Sequence, residues 1–237
     1  MKNQLDDEQI AYRIALEIQP GWYVNLGAGI PNLICNYVDK LEDVTFHTES
    51  GCLGLGALAR EGEQDPDLID GGANPFTITP GAACFDSEWS FIMMRGGHLD
   101  LSVMGGLEVA ENGDLANYEI PGKKLPGMGG GVDLAVGAKR VFIAMDHTTG
   151  NGLPRLLKRC KLPLTARNCV TTVFTNLAVV DVTRDGFLLR ELAPGYTAEE
   201  VQALSEATLK VSPNLREVNL DGFERRSKVA TVRPSAK

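Results

Sequence analysis

The feature that most constrains the fold is the placement of glycine. Most of the 26 glycines stand in short clusters, several directly after apolar, β-rich runs. Gly27-Ala28-Gly29 follows the run 22–26, Gly51 to Gly56 follow 44–48, and Gly105-Gly106 follow 101–104, with further clusters at Gly71-Gly72, Gly96-Gly97 and Gly127 to Gly131. Glycine tolerates positive φ and lets other atoms approach the backbone closely, so this punctuation describes strands that end in tight loops. In open α/β sheets ligands bind outside the carboxyl ends of the strands, which makes these loops the place to look for chemistry. No fixed-period repeat and no internal linker interrupts residues 1–220. The expectation is a single open α/β domain with a mixed sheet over 1–220, followed by a polar, basic and poorly ordered tail over 221–237.

Ile10, Ala11, Ile14, Ala15 and Ile18 follow helical spacing and predict an amphipathic helix over 6–18, closed by Pro20-Gly21. The run 22–26 reads as a strand, and Pro31 suits the first position of a helix through Leu33, Ile34 and Tyr37. Strands are expected at 44–48, 101–104, 141–145 and 170–174, and a hairpin should pair 178–181 with 187–189 about Arg184-Asp185-Gly186. Thr197-x-x-Glu200 has the form of a capping box opening a helix over 197–209.

Composition removes several function classes. At 43% hydrophobic and 23% charged, the chain is neither disordered nor collagen-like, and no run approaches the ~20 apolar residues of a membrane span. The start MKNQLDDEQI lacks the basic and apolar regions of an export signal, so a cytoplasmic setting with no membrane partner is expected. Cys35, Cys52, Cys84, Cys160 and Cys169 form an odd set without C-x-x-C, against a disulfide framework or a cysteine zinc site. A net charge of -8 opposes nucleic acid as a partner. His47, His98 and His147 are scattered, so no metal site is expected, and the common P-loop, zinc-protease and serine-hydrolase signatures are absent.

Glu49 is the sharpest candidate for chemistry, because it stands where a strand hands over to a glycine loop. A carboxylate there can serve as general base, metal ligand or nucleophile, against the plain alternative of a solvent-facing strand end. Glycines 51 and 54 leave room for a bulky substrate. The run Gly129-Gly130-Gly131 can present successive backbone N–H groups to a developing oxyanion, or it can be a flexible loop. Asn25, beside Gly27 and Gly29, can hydrogen-bond a substrate or simply form a turn. Residues 54–59 fit a permissive dinucleotide pattern, but no βαβ unit frames them and the match reads as false. His47 lies two positions before Glu49 and could share its face of the sheet, though it reads first as structural. Met93-Met94 reads as core.

These residues carry a resemblance. VNLGAGIP at 24–31, MRGGHLDLSVMGG at 94–106, GDLANY at 113–118, PGMGGGVDL at 126–134 and LPLTA at 162–166 occur in the order found in the B (β) subunit of class I coenzyme A transferases. That group includes 3-oxoacid, acetate/acetoacetate and 3-oxoadipate CoA-transferases, and the similarity runs from Ile10 to about Asn219. The resemblance implies a sugar-isomerase-like α/β fold. Residues 49–54 match the family's E-x-G-x-x-G, which gives Glu49 the role of nucleophile and passes through a glutamyl-CoA thioester. It places Gly129, Gly130 and Gly131 as oxyanion amides, and Asn25, Gly27, Gly29, Gly51 and Gly54 about the CoA. Ser50 replaces the Asn of many relatives, and Gly131-Val132 replaces Ala-Met, which bears on the choice of acid.

The resemblance further implies ping-pong transfer of CoA between an acyl-CoA and a short carboxylic acid. CoA then acts as substrate and carrier with no separate cofactor, and an A-type subunit is the partner in a hetero-oligomer. Rival expectations are an acyl-CoA thioester hydrolase, a ligand-sensing module on the same scaffold and, from the dinucleotide match, a dehydrogenase.

Overall fold

A computed structural model describes residues 2–122 and 127–226. The chain begins with helix α1 (Asp7–Ala15), whose N-cap Asp6 accepts from the Glu8 and Gln9 amides while Gln9 reaches back to the Asp6 amide. Strand β1 (Tyr23–Leu26) follows, then the expected helix entered through Pro31, a 3-10 helix over Ile30–Lys40. Strand β2 (Thr45–Thr48) leads into β3 (Cys52–Leu58), β4 (Phe76–Cys84) and helix α2 (Ser87–Arg95). Strands β5 (Leu101–Gly105), β6 (Glu108–Ala110) and β7 (Leu115–Ala116) precede helix α3 (Gly131–Gly137) and strand β8 (Val141–Met145). The last third holds β9 (Leu156–Leu157), β10 (Thr172–Thr175), β11 (Ala178–Thr183), β12 (Gly186–Leu192), α4 (Ala198–Ala203) and β13 (Leu209–Glu217).

One ten-stranded sheet runs β13-β12-β11-β10-β8-β5-β1-β2-β3-β4, and β7-β6-β9 form a small second sheet. The central strands β10, β8, β5, β1 and β2 are mutually parallel, while β3, β4 and β11 join antiparallel, so the sheet is mixed. Parallel strands covered on both faces read as continuous apolar runs, and VFIAM of β8 is buried throughout. Phe142 and Ala144 of that strand enter the cluster built on α1 and the 3-10 helix, with Ile10, Ile14, Ile34 and Tyr37. Val141, Ile143 and Met145 enter the cluster on the other face, with Met94, Leu134 and Val180. Side chains alternate across a strand, so a three-layer core results.

Three differences from the sequence reading have physical causes. The last helix stops at Ala203, because Leu209 instead starts β13, which pairs parallel with β12. Residues 54–59 fall mostly within β3, a strand interior and not a strand-to-helix turn, which removes the dinucleotide reading. Of the tail, 221–226 are docked: Phe223 packs on the Tyr12 ring, Arg225 pairs with Asp6 and Glu8, and Arg226 pairs with Asp39. Residues 227–237 of the expected tail lie outside the described residues.

Candidate active site

Strands β2 and β3 form a hairpin with Thr48 opposite Cys52, leaving residues 49–51 as the loop. Gly51 N–H donates to the Thr48 carbonyl at 3.0 Å and Gly51 sits at φ +109°. A three-residue hairpin loop asks for such a left-handed terminal residue, so the turn places Glu49 at the carboxyl edge of the sheet. Ser50 Oγ donates to the Ile69 carbonyl at 3.2 Å, tying this turn to the loop that follows.

Glu49 is half-buried, and its carboxylate lies between two glycine segments. A Cβ built on Gly71 would stand 3.4 Å from Glu49 Cγ, one on Gly129 3.3 Å from Oε1, and one on Gly130 only 2.5 Å from Oε2. A side chain at Gly130 would therefore push the Glu49 carboxylate out of this position. The Gly130 backbone amide stands close enough to the carboxylate to favour its charged form. Burial pushes the Glu49 pKa up and the Asp133 charge adds to that rise, while the Gly130 amide opposes it. The 70–74 loop is held by Asp70, whose Oδ1 accepts from the amides of Gly72 at 2.7 Å and Asn74 at 2.9 Å. The sequence reading noted Gly71-Gly72 without assigning it to the site. Its signal was Asp-Gly-Gly-Ala-Asn, the composition of an Asx-type turn.

Beneath the turn runs a buried polar chain. Asn25 Nδ2 donates to His47 Nδ1 at 2.9 Å and to the His47 carbonyl at 3.3 Å, and His47 Nε2 lies 2.8 Å from Ser90 Oγ. Burial lowers the His47 pKa to about 4, so the ring is neutral. With Nδ1 accepting, Nε2 carries the proton and donates to Ser90, whose hydroxyl donates to the Thr48 carbonyl at 3.4 Å. His47 thus orients the strand end that carries Glu49. Ser90 was missed because a lone serine within a helix has no local signature.

The structure brings Glu49, Gly129 and Gly130 into contact, and links Asn25 to them only through His47. Asn25 is 1% exposed and, among the described residues, its Oδ1 has no hydrogen-bond partner. Gly29 opens to free space at φ +86°, whereas a Cβ on Gly27 would meet the Val103 carbonyl at 3.1 Å. Over Gly51 and Gly54 the space is filled by chain: a Cβ would lie 2.0 Å from the Phe85 carbonyl and 2.9 Å from Ala82 respectively. Close packing on β4 and the residue after it explains those two glycines, rather than room for a ligand. Gly131 opens α3 and is buried. A Cβ there would meet Met104, Asn117 and Thr165 at 3.7 to 3.9 Å. His147 is a core histidine, bonded to Thr175 and Ser205. Met94 is fully buried. Among the described residues no helix is long and apolar enough to cross a membrane, and no group of three or more His, Cys, Asp or Glu is placed to hold a metal.

Residues 7–204 match the family model described as Coenzyme A transferase, and the chain belongs to that family. Within it, the chain is 46% identical over 204 residues to the beta chain of a probable coenzyme A transferase of Bacillus subtilis, covering 86% of this chain and 94% of the relative. It is 44% identical to the B-type chain of the succinyl-CoA:3-ketoacid coenzyme A transferase of Helicobacter pylori, covering 86% and 98%. Against the human mitochondrial succinyl-CoA:3-ketoacid coenzyme A transferase 2 it is 44% identical, covering 88% of this chain and 41% of that longer one. The fold is shared with an acyl-CoA transferase apoenzyme from Escherichia coli O157:H7, at TM-score 0.70 and 20% identity over 92% of this chain and 43% of that one. It is shared too with glutaconate coenzyme A-transferase from Acidaminococcus fermentans, at TM-score 0.67 and 14% identity over 92% and 91%.

Proposed function

We propose that this chain is the B-type half of a CoA-transferase that moves CoA between an acyl-CoA and a short carboxylic acid of the 3-oxoacid class, with Glu49 as covalent carrier. The observation that carries the reading is the Glu49 carboxylate, desolvated at the carboxyl edge of the sheet and set in a cradle of glycines beside the Gly130 amide. Relatives of matching length are named as the beta or B-type half of a transferase, and the human relative holds the corresponding region within a chain more than twice as long. An A-type subunit is the partner this implies.

In the proposed cycle a Glu49 oxygen attacks the thioester carbonyl carbon, the C–S bond breaks, and CoA thiolate leaves an acyl-glutamyl anhydride. The thiolate then attacks the glutamyl carbonyl and releases the donor acid, forming a Glu49–CoA thioester. An acceptor carboxylate resolves that thioester by the reverse sequence. Partial desolvation makes the carboxylate more basic and a better nucleophile. Each addition at the glutamyl carbon puts negative charge on an oxygen of Glu49 itself, and the Gly130 amide stands beside that carboxylate. One preorganised donor of this kind is typically worth about 10²–10³ in rate. Gly129 flanks it as a further amide, whereas the Gly131 N–H is already given to the Met128 carbonyl at 3.0 Å; Gly29 leaves open space on the β1 side for CoA, and Asn25, Gly27, Gly51 and Gly54 shape the strand ends around it.

The test is to quench the assembled pair of subunits during turnover and map the adduct. A CoA moiety on the Glu49 peptide with parallel initial-rate lines is the expected result. Intersecting lines with no adduct would overturn the carrier role, and steady release of CoA without an acceptor acid would make the enzyme a hydrolase.

A further inference from the structure

Cys52 and Cys84 face each other across β3 and β4, and the Cys84 thiol lies 3.8 Å from Cys52 Sγ. Their setting in the ladder is legible from the flanking bond: Phe85 N–H donates to the Gly51 carbonyl at 2.9 Å. That bond joins the residue after Cys84 to the residue before Cys52, which makes the cysteines a non-hydrogen-bonded cross-strand pair. In such pairs the Cα atoms stand about 4.5 Å apart, inside the roughly 4.4–6.8 Å that a disulfide spans. The sulfurs need to close by only about 1.8 Å to reach bonding distance. The two thiols differ in access, since Cys84 is exposed and Cys52 is buried. Packing alone does not call for a second cysteine at an exposed position of an edge strand.

We propose that Cys52 and Cys84 form a reversible thiol-oxidation site whose co-reactant is a small disulfide of the glutathione type. The Cys84 thiolate attacks one sulfur of the small disulfide, expelling one thiolate and forming a mixed disulfide on Cys84. Cys52 then loses its proton to solvent and attacks Cys84 Sγ, expelling the second small thiolate. Two cysteine thiols are oxidised, one small disulfide is reduced to two thiols, and the two protons are taken up by the expelled thiolates. In the reduced pair, burial, with the Cys84 hydrogen bond and charge, pushes the Cys52 thiol up to about 12, and the burial, which is the largest cause, persists once Cys84 is capped. Closure is therefore the slow step, and it quickens as pH rises. In a reducing compartment the pair rests as two thiols, as transient sensing disulfides do. The site lies three residues beyond Glu49, on the hairpin that carries it, and the assignment does not depend on the transfer reaction.

The test treats the reduced full-length chain with glutathione disulfide, alkylates remaining thiols, and reads intact mass and non-reducing peptide maps. Before alkylation the native chain should be about 2 Da lighter; after it, two fewer thiols should be alkylated than in the reduced chain, with a linked 52–84 peptide that reverts with dithiothreitol. Cys52→Ser should stop at a glutathione adduct on Cys84, and Cys84→Ser should leave residue 52 unmodified. A native chain that accumulates the Cys84 adduct without closing, or that reacts at Cys35, Cys160 or Cys169 while 52 and 84 stay reduced, would overturn the proposal.

Discussion

Ser90 Oγ sits 2.8 Å from His47 Nε2 and also donates to the carbonyl of Thr48, the residue before Glu49. One hydroxyl from α2 therefore fixes both the ring and the end of β2. Replacing it leaves a buried N–H without an acceptor, which costs about 1–3 kcal/mol. Ser90→Ala should lower the urea unfolding free energy by that amount. If Ser90 also positions Glu49, kcat falls more than KM changes, and Ser90→Thr restores part of both. Steady-state kinetics beside denaturation curves check the two effects separately.

Glu49→Ala should abolish transfer, by a factor on the order of 10⁴ or more, as removal of a nucleophile does elsewhere, while the subunits still assemble. Glu49→Gln carries a second expectation. A carboxylate whose folded-state pKa is raised favours the fold below its ordinary 4.5 and loses that contribution as pH rises through the folded value. At neutral pH the ionised group is thus held at a cost, and the amide variant should melt higher than the native chain. For the native enzyme the acidic limb of kcat/KM should fall above pH 4.5. Thermal melts and pH–rate profiles measure both.

Gly130→Ala and Gly51→Ala separate site from scaffold. Gly130 has φ −80°, which any residue adopts, but its Cβ would stand 2.5 Å from Glu49 Oε2. The new methyl displaces the carboxylate, so activity should drop about 10²-fold with little change in unfolding. Gly51 has φ +109° and its Cβ would stand 2.0 Å from the Phe85 carbonyl. That variant should be destabilised by more than about 2 kcal/mol, visible in yield and melting temperature.

His47 and His147 are both lowered by burial from 6.5 to about 4. A depressed histidine contributes stability above the unfolded value, and the contribution is lost as pH falls through the folded one, because the unfolded chain takes up the proton first. Stability should decline between pH 6.5 and about 4, by on the order of 3 kcal/mol per ring. Denaturant titrations across that range test this, and His147→Gln should flatten the slope.

Glu191 is fully buried and takes Arg13 through two bonds of 2.7 Å, with Arg216 at 2.7 Å on one of the same oxygens. Glu191→Ala would strip the Arg13 guanidinium, 3% exposed, of its two-pronged carboxylate partner and leave Glu17 as its remaining counter-charge. A loss of about 3–5 kcal/mol is expected, larger than for Glu17→Ala at the rim of the same cluster. Urea unfolding of the two variants measures the difference.

Local pattern made much of this protein legible. Ile10 to Ile18 announced α1, the run 141–145 announced a strand buried on both faces, and Gly186 announced the β11–β12 turn, because each signal is carried by neighbours in the chain. The family blocks and the position of Glu49 at a strand end were also readable from the residues alone. Strands β4 and β13 were not, since Pro80 and Pro213 sit inside them and proline ordinarily argues against a strand. Both lie at the two edges of the sheet, where a missing N–H need not be paired, and only the strand order says so. The same holds for the site. That Glu49 is an exceptional carboxylate follows from Gly71, Gly130 and Ser90 being brought to it from three separate segments. Contacts between residues tens of positions apart leave no periodicity in the sequence, so the cradle exists only once the sheet has been assembled.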